Sequence, residues 1–389
     1  MKTIVSIAAI LLSLMAACNP DKLVIVSGQL EGIASDTLLA TYYPVGNRDA
    51  KKRDTIPMQQ GNFSFAIPAD SAAFEVVIQA KPSSIPDADG RIAAFSMQAA
   101  RFVVLPGEPL NVNGSLSDYK VEGGDYYADY NRLQELCRPY YDQMDSLQQR
   151  CMALGQQPGV TPDSVRAVYE AEGIPLRQKI AGIHMEYICK HPQKHLSVML
   201  AASLPEENLD EAAGVLGAMG ENSLLAPMLQ DRLRYEAKKK QREEAEKVVS
   251  KGAVAPDFTL SDTDGKPFTL SSLKGKYVVL DFWGSWCGWC IKGIPEMKKS
   301  YAKYRTKLEI VGIACNDTEE AWKKAVKKHE LPWTNVRNEE DNDVAVRYAV
   351  GGFPTKYVID PEGKIVDKVI GEDPAFYELL DRLLGSGNK

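Results

Sequence analysis

Histidine is scarce in this chain, with only four residues among 389, and His329 alone lies beyond residue 252. The seven cysteines contain a single C-x-x-C pair, Cys287 and Cys290. Since a structural zinc site needs a second pair of ligands at a suitable spacing, this composition argues against a metal centre. We therefore predict that the chain binds no metal ion.

A basic surface and long apolar segments are also lacking. The formal net charge is −6, whereas nucleic-acid binding requires a positive patch, so we exclude nucleic acid as a partner. Beyond the N-terminus no apolar run approaches the ~20 residues of a transmembrane helix. A chain of 389 residues exceeds one ordinary core, so we expect several domains.

The N-terminal residues have the pattern of a signal peptide, which we assign to residues 1–17. Lys2 precedes an apolar run too short to span a bilayer comfortably. The run ends in Ala16-Ala17-Cys18, which resembles the lipobox of bacterial lipoproteins. This resemblance implies that Cys18 becomes a lipid anchor, that residues 18–22 form a tether, and that the protein faces the periplasm from a membrane of the cell envelope. A plain secretory signal with a chance cysteine is the alternative.

Residues 23–120 have the pattern of an all-β domain. Short runs rich in β-branched and aromatic residues predict strands; they are LVIVSGQL, TLLATYY, NFSFAI, FEVVIQA and RFVVL. We expect an antiparallel sandwich or half-barrel. The segment contains neither histidine nor cysteine, so we interpret it as a folding and docking module.

Residues 121–251 have a helical pattern. Apolar residues recur at three- and four-residue steps; they are Tyr130, Leu133, Cys137, Tyr140, Met144, Leu147, Cys151 and Leu154. We predict that Pro139 kinks or splits this helix, because proline lacks an N–H group and its ring collides with the preceding turn. The stripe predicts a core, although it could equally form a homodimer interface.

Four cysteines outside the C-x-x-C pair have no assigned partner. Cys137 and Cys151 would be ~21 Å apart in one continuous helix, too far for a disulfide, so we predict core positions for both, with a cysteine on another helix as the alternative partner. Cys189 lies close to His191 and His195, but Pro192 disfavours a shared helical face. We therefore predict a turn between helices there and no metal site.

Residues 252–389 alternate strands and helices, which predicts an α/β domain. The strands are YVVLDFW, LEIVGIA, KYVID and KIVDKVIG, and helices follow Cys287, Thr318 and Asp373. Pro361-Glu362-Gly363-Lys364 predicts a tight hairpin. We place Cys315 at a strand end as a small buried residue.

The cysteines of FWGSWCGWC follow a predicted buried strand and open a predicted helix. Unpaired N–H groups and the helix dipole favour a thiolate at such a position. We predict that Cys287 is exposed and attacks a partner's disulfide, and that Cys290, buried a turn later, resolves the mixed disulfide. A static bridge would close too small a loop to stabilise the fold much.

This domain resembles thioredoxin, and more specifically the TlpA/ResA-type envelope thiol–disulfide oxidoreductases, which are related to the AhpC/TSA proteins. Residues 278–295 follow the active-site run, with Trp286 directly before Cys287. Gly352-Phe353-Pro354-Thr355 matches the cis-proline loop, and residues 255–276 match the extra hairpin of these branches.

The resemblance implies roles for five further residues. Asp281 would be a buried acid that exchanges a proton with Cys290. Pro354, if cis, would present the backbone of Phe353 to a substrate strand, and Trp286 and Trp289 would complete an apolar rim with Phe353. No cofactor is implied beyond the redox-active disulfide.

Asp317 lies where such proteins often hold an active-site carboxylate, but the run Asp317-Thr318-Glu319-Glu320 also fits a helix cap. We predict the cap.

The partners implied by the resemblance are disulfide-containing envelope proteins and an upstream membrane or periplasmic thiol donor, with reduction of clients as the favoured direction. Two alternatives remain: a peroxiredoxin-like peroxidase, and a non-enzymatic client-binding lipoprotein in which the thiols are a switch. The peroxidase is disfavoured, because the chain has Trp-Gly-Ser-Trp-Cys instead of a Thr-x-x-Cys site.

Overall fold

A computed structural model of the chain describes residues 23–33, 35–80 and 98–385. The predicted signal, tether and lipid anchor at Cys18 lie outside these residues. The chain divides into two compact units, Met1–Arg234 and Tyr235–Lys389, whereas the sequence pattern places the last boundary at residue 252. Across the described residues, no helix is both long enough and apolar enough to cross a lipid bilayer.

The first unit begins with two four-stranded sheets that share one hydrophobic core. Their orders are β4-β1-β7-β8 and β3-β2-β5-β6. The strands are β1 (Val24–Leu30), β2 (Thr37–Pro44), β3 (Lys52–Pro57), β4 (Asn62–Ile67), β5 (Phe74–Ala80), β6 (Ala100–Val104), β7 (Leu110–Gly114) and β8 (Tyr119–Glu122). The predicted sandwich-like β domain is confirmed.

The expectation of a purely antiparallel sandwich is wrong for one pair, because β1 and β7 are parallel. The strands between them supply the crossover that parallel pairing requires. At Gly28 the two backbones approach so closely that a Cβ atom would lie 1.9 Å from the carbonyl oxygen of Val112. Only glycine fits this position of β1.

Six helices follow. They are α1 (Gly124–Gly155), α2 (Pro162–Lys190), α3 (His195–Ser203), α4 (Glu206–Leu216), α5 (Met219–Asn222) and α6 (Ala226–Glu246). The stripe predicted on α1 is buried or half-buried. Part of it packs within the chain on α2, where Cys137 Sγ lies 3.8 Å from His184 Nε2.

Of the two effects predicted for Pro139, splitting of the helix is wrong, because α1 runs through this residue, and a kink stays a prediction. Both Pro139 and Glu135, whose carbonyl loses its usual N–H donor, are exposed. Water can therefore satisfy that carbonyl, and the stripe continues to pack on either side of the proline.

None of the three described cysteines of the first unit is bridged. Cys137 and Cys151 are buried and free, as predicted, and Cys189 is free and exposed. The predicted turn near His191 is confirmed, since α2 ends at Lys190 and α3 begins at His195. The described part of the chain contains no cluster of three or more His, Cys, Asp or Glu side chains suited to a metal ion.

The second unit contains a five-stranded sheet of order β13-β12-β11-β14-β15 and a separate β9–β10 hairpin. The strands are β9 (Thr259–Ser261), β10 (Pro267–Thr269), β11 (Tyr277–Trp283), β12 (Leu308–Ala314), β13 (Thr334–Arg337), β14 (Thr355–Ile359) and β15 (Ile365–Ile370). The helices are α7 (Gly288–Tyr304), α8 (Glu319–Lys328), α9 (Val344–Arg347) and α10 (Pro374–Leu384). The first three sheet strands are parallel, and β14 and β15 are antiparallel to their neighbours.

This arrangement is the thioredoxin-like α/β fold that the sequence predicts. Alternate residues of β11 enter different cores: Val278, Leu280 and Phe282 pack on one face, and Val279 packs on the other, with Met297 of α7 and Phe376 of α10. Because side chains alternate along a strand, Asp281 lies on the face of Val279 and Trp283, under α7.

Candidate active site

Cys287 and Cys290 form a disulfide at the N-terminus of α7, with an S–S distance of 2.03 Å. Cys287 is the N-cap residue, and its Sγ accepts a hydrogen bond of 3.2 Å from the backbone N–H of Cys290. The helix-opening position predicted for the pair is therefore the one observed. A backbone donor and the positive end of the helix both favour negative charge on this sulfur.

The predicted contrast between an exposed Cys287 and a buried Cys290 is wrong in this oxidised state. Their exposed fractions are 6% and 7%. Both side chains belong to a small apolar cluster with Trp283 and Trp322, against which Phe353 packs. The disulfide bond holds both sulfur atoms within this cluster, so neither sulfur is more exposed to water than the other.

Large aromatic side chains lie in the open beside the disulfide. Trp286 is 54% exposed and Trp289 is 65% exposed. Trp286 meets Phe353 edge to face, with ring centroids 5.5 Å apart, and the Lys292 ammonium lies 4.8 Å from the centroid of Trp289. Exposed aromatic surface of this kind is typical of protein–protein contact sites.

The Phe353–Pro354 peptide bond is cis. It directly precedes β14, which pairs with β11 from Thr355 onward. The structure thus brings the Gly352–Thr355 loop next to the strand that leads into Cys287, and Phe353 packs on the cluster that contains both cysteines.

Asp281 is buried on β11, and burial raises the pKa of its carboxyl to about 6. Its Oδ1 makes no hydrogen bond. The nearest cation is Lys356 Nζ, at 4.0 Å from this oxygen. A carboxyl with a pKa near neutrality can gain and lose a proton under physiological conditions.

Lys356 and Glu372 were missed by the sequence analysis. Lys356 is the direct cross-strand partner of Asp281, is 2% exposed, and donates a 2.8 Å hydrogen bond to Glu372 Oε2. The available signal was a single lysine in the otherwise apolar run of β14, which becomes informative once its register with Asp281 is known.

The prediction that Asp317 caps α8 is also wrong. Thr318 is the N-cap residue, and its Oγ1 accepts from the N–H of Ala321. Asp317 instead accepts two hydrogen bonds from Ser285, one from the backbone N–H at 2.7 Å and one from Oγ at 2.5 Å. Because Ser285 lies two residues before Cys287, this carboxylate fixes the loop that carries the disulfide.

Cys315 is buried, as predicted. Its Sγ lies 3.5 Å from the carbonyl oxygen of Ile313, and burial raises the pKa of its thiol. Its backbone carbonyl accepts a 3.1 Å hydrogen bond from the Trp286 indole. It therefore supports the site through its backbone, and its sulfur has no access to a partner.

Comparison with known proteins identifies relatives of this domain. The AhpC/TSA family model matches residues 251–368. The thiol-disulfide oxidoreductase ResA of Bacillus cereus is 42% identical over 122 residues, which cover 31% of this chain and 70% of that protein. ResA of Bacillus subtilis is 39% identical over 124 residues, which cover 32% and 69%.

Solved structures match the same region. The thioredoxin domain of a thiol-disulfide oxidoreductase from Bacteroides vulgatus is 36% identical, and the match covers 35% of this chain and 98% of that chain, with a TM-score of 0.33. A thiol-disulfide oxidoreductase from Bacteroides fragilis is 30% identical, with coverages of 34% and 99% and a TM-score of 0.32. The match to ResA proteins spans more than two thirds of their length at 39–42% identity. The chain therefore belongs, through its C-terminal domain, to the thiol-disulfide oxidoreductases of the ResA type.

Proposed function

We propose that Cys287 and Cys290 are the redox centre of an envelope reductase that is anchored by a lipid on Cys18 and acts on disulfide-containing proteins. The observation that carries the proposal is their disulfide at the start of α7 beside the exposed Trp286 and Trp289. No organic cofactor or metal is needed for this chemistry, because the disulfide itself carries the electrons.

In the proposed reaction the Cys287 thiolate attacks one sulfur of a client disulfide. The client S–S bond breaks, its second sulfur leaves as a thiolate, and Cys287 is held in a mixed disulfide. The Cys290 thiol then gives its proton to the Asp281 carboxylate, and its sulfur attacks Cys287 Sγ. The client's first sulfur leaves as a thiolate, the Cys287–Cys290 bond forms, and two electrons have moved to the client.

The aromatic side chains would receive the client. Trp286, Trp289 and Phe353 offer apolar surface beside the sulfurs, and the backbone preceding Pro354 can pair with an extended client segment. A thiol donor in the membrane or periplasm would then return the Cys287–Cys290 disulfide to the dithiol.

A trapping experiment tests the assignment of the two cysteines. In Cys290→Ser the mixed disulfide on Cys287 cannot be resolved, so we expect reductant-sensitive protein adducts in cell extracts on non-reducing gels. The Cys287→Ser/Cys290→Ser double variant is the matched control, because it keeps the exposed Cys189. Adducts that are no more abundant than in this control would favour the non-enzymatic lipoprotein.

The direction of electron flow has its own test. We propose reduction, because the envelope proteins that this domain resembles mostly reduce their clients. The reduction potential of the Cys287–Cys290 pair, measured against a glutathione series, should then be about −270 mV, as in thioredoxin, whereas a value of about −120 mV would make the protein an oxidant.

A further inference from the structure

Lys356 is a buried cation placed directly opposite the buried acid of the active-site strand. Asp281 and Lys356 are register partners in the β11–β14 pair, and Lys356 Nζ lies 4.0 Å from Asp281 Oδ1. Its closer partner is Glu372, at 2.8 Å. A lysine with almost no exposure to water must keep such partners to remain charged.

Glu372 is held in place from three sides. Besides Lys356, it accepts a hydrogen bond from the Tyr377 hydroxyl of α10. Its carboxylate also fills the space beside Gly293 of α7, where a Cβ atom would lie 2.2 Å from Oε2. The Tyr377 hydroxyl lies 3.3 Å from the Gly293 carbonyl oxygen as well. Glu372 is thus fixed against the helix that carries both active-site cysteines.

Stability alone is a poor explanation for this pair. Removing two charges from water costs free energy that their mutual attraction often fails to recover, and apolar side chains of similar volume usually stabilise a core as well or better. What the pair does supply is an electrostatic field at Asp281, where Lys356 favours the ionised carboxylate and Glu372 opposes it. Of the two, Lys356 acts more strongly on Asp281.

We propose that Lys356 and Glu372 are positioning residues that set the pH range in which Asp281 can accept the Cys290 proton. The inference depends on the proposed function, in which the Cys290 S–H bond breaks and the proton goes to the Asp281 carboxylate. Lys356 keeps that carboxylate ionised near neutral pH in spite of its burial. Glu372 limits the effect of Lys356, so that Asp281 still binds the proton when it arrives.

The other titratable groups around this network belong to three elements. Tyr377 of α10 interacts electrostatically with Asp281 and Glu372, and also with Glu296 of α7. The Cys315 thiol, directly after β12, also interacts electrostatically with Asp281. Both Tyr377 and Cys315 have raised pKa values and stay neutral near pH 7. Lys356 and Glu372 are therefore the charged groups that act on Asp281.

Titration of Asp281 in the oxidised full-length protein tests the proposal directly. The carboxyl ¹³C resonance of Asp281, assigned with Asp281→Asn, reports its protonation against pH. We expect Lys356→Met to raise the midpoint by about one pH unit or more, since an opposite charge at this range shifts a carboxyl by ~1–3 units. Glu372→Gln should lower it, because a neutral amide leaves Lys356 unopposed.

The double variant Lys356→Met/Glu372→Gln makes the test independent of whether the single lysine variant folds. It replaces the ion pair with two neutral side chains, and its midpoint should lie above wild type but below Lys356→Met. Lys303→Met, which breaks an exposed pair with Asp381 in the same unit, should leave the midpoint unchanged. Midpoints that do not follow the order Glu372→Gln, wild type, double variant, Lys356→Met would overturn the proposal.

The kinetic consequence is measured as release of a fluorescent peptide from a mixed disulfide on Cys287. For Lys356→Met we expect release to slow about tenfold at pH 5. A one-unit rise in the Asp281 midpoint leaves about one tenth as much ionised Asp281 as in wild type at a pH well below the midpoint. At pH 9 the rate should match wild type. A purely structural defect would slow release at every pH, which contradicts the proposal. Because the titration needs no client, it separates failure of this inference from failure of the proposed reductase function.

Discussion

Asp317 shows how one carboxylate can organise an active-site loop without touching the reacting atoms. It accepts hydrogen bonds from both the N–H and the hydroxyl of Ser285, and the Trp286 indole donates a hydrogen bond to the Cys315 carbonyl. These hydrogen bonds connect the loop before Cys287 to the end of β12, through the side chains of Ser285 and Trp286 on one side and of Asp317 on the other. Hydrogen bonds to a charged acceptor contribute about 1.5–3 kcal/mol each.

A double-mutant cycle measures this contact. We expect Asp317→Ala to destabilise the oxidised protein by about 3 kcal/mol or more, because two donors lose their charged acceptor. Ser285→Ala should cost about 1.5 kcal/mol, and the pair should be less than additive by about 1 kcal/mol, as residues in contact usually are. Urea denaturation provides the values.

The matched control for this cycle is Glu319→Ala, which removes an exposed i,i+4 pair with Lys323 and should cost at most about 0.5 kcal/mol. Strict additivity of the Asp317 and Ser285 substitutions would show that the observed contact does not hold the loop.

Individual residues show which parts of the site can be predicted from the sequence and which cannot. Cys287, Trp286 and Pro354 could be located because they fall in contiguous motifs whose spacing is fixed by local backbone geometry. Lys356 and Glu372 could not, because their relation to Asp281 depends on strand register and on a loop more than seventy residues away in sequence. Asp317 was misassigned because local capping chemistry is visible in a sequence, whereas its contact with Ser285 is not.

At the scale of elements, the sequence predicts strands and helices with strong apolar patterns. β11, β12 and the helices α7 and α10 occur where predicted. The missed strands are short or have few apolar residues: β3, KRDTIP, buries only Ile56, β7, LNVNG, has five residues, and β8, YKVE, and β13, TNVR, have four each. Such strands form because a neighbouring strand offers unpaired backbone groups, and this depends on tertiary structure.

Helix α1 also shows that tertiary structure can override a local sequence preference. Proline inside a helix ordinarily favours a break, but Pro139 lies on the exposed side while Leu133, Cys137 and Leu147 remain buried on the other. Tertiary packing along one face therefore outweighs the loss of one backbone hydrogen bond. The Pro175 inside α2 shows that the partner helix tolerates the same interruption.

At the scale of the whole molecule, the second unit has cores of its own on both faces of its sheet. The C-terminal half of α6 belongs to it, because Lys238 pairs with Asp343 at 3.0 Å and Ala245 packs on the Val278 core. This boundary falls inside an unbroken helix, so no turn or linker marks it in the sequence.

A fragment of residues 235–389 tests this division. We expect it to fold cooperatively and to keep its thiol–disulfide oxidoreductase activity on a small substrate within about twofold, because its core and redox site contain no residue of the first unit. A fragment that starts at residue 252 is the control, and it should be less stable because it lacks the Lys238–Asp343 pair and Val249. Thermal denaturation by circular dichroism compares the two, and equal melting temperatures would move the boundary to residue 252.

The exposed sulfur on α2 has a practical consequence. While Cys287 and Cys290 are bridged and Cys137, Cys151 and Cys315 are buried, Cys189 is the accessible thiol among the described residues. Within the described residues, a maleimide dye added to the oxidised, natively folded protein should therefore react with α2 alone. Such a fluorophore would report on the first unit while chemistry proceeds in the second.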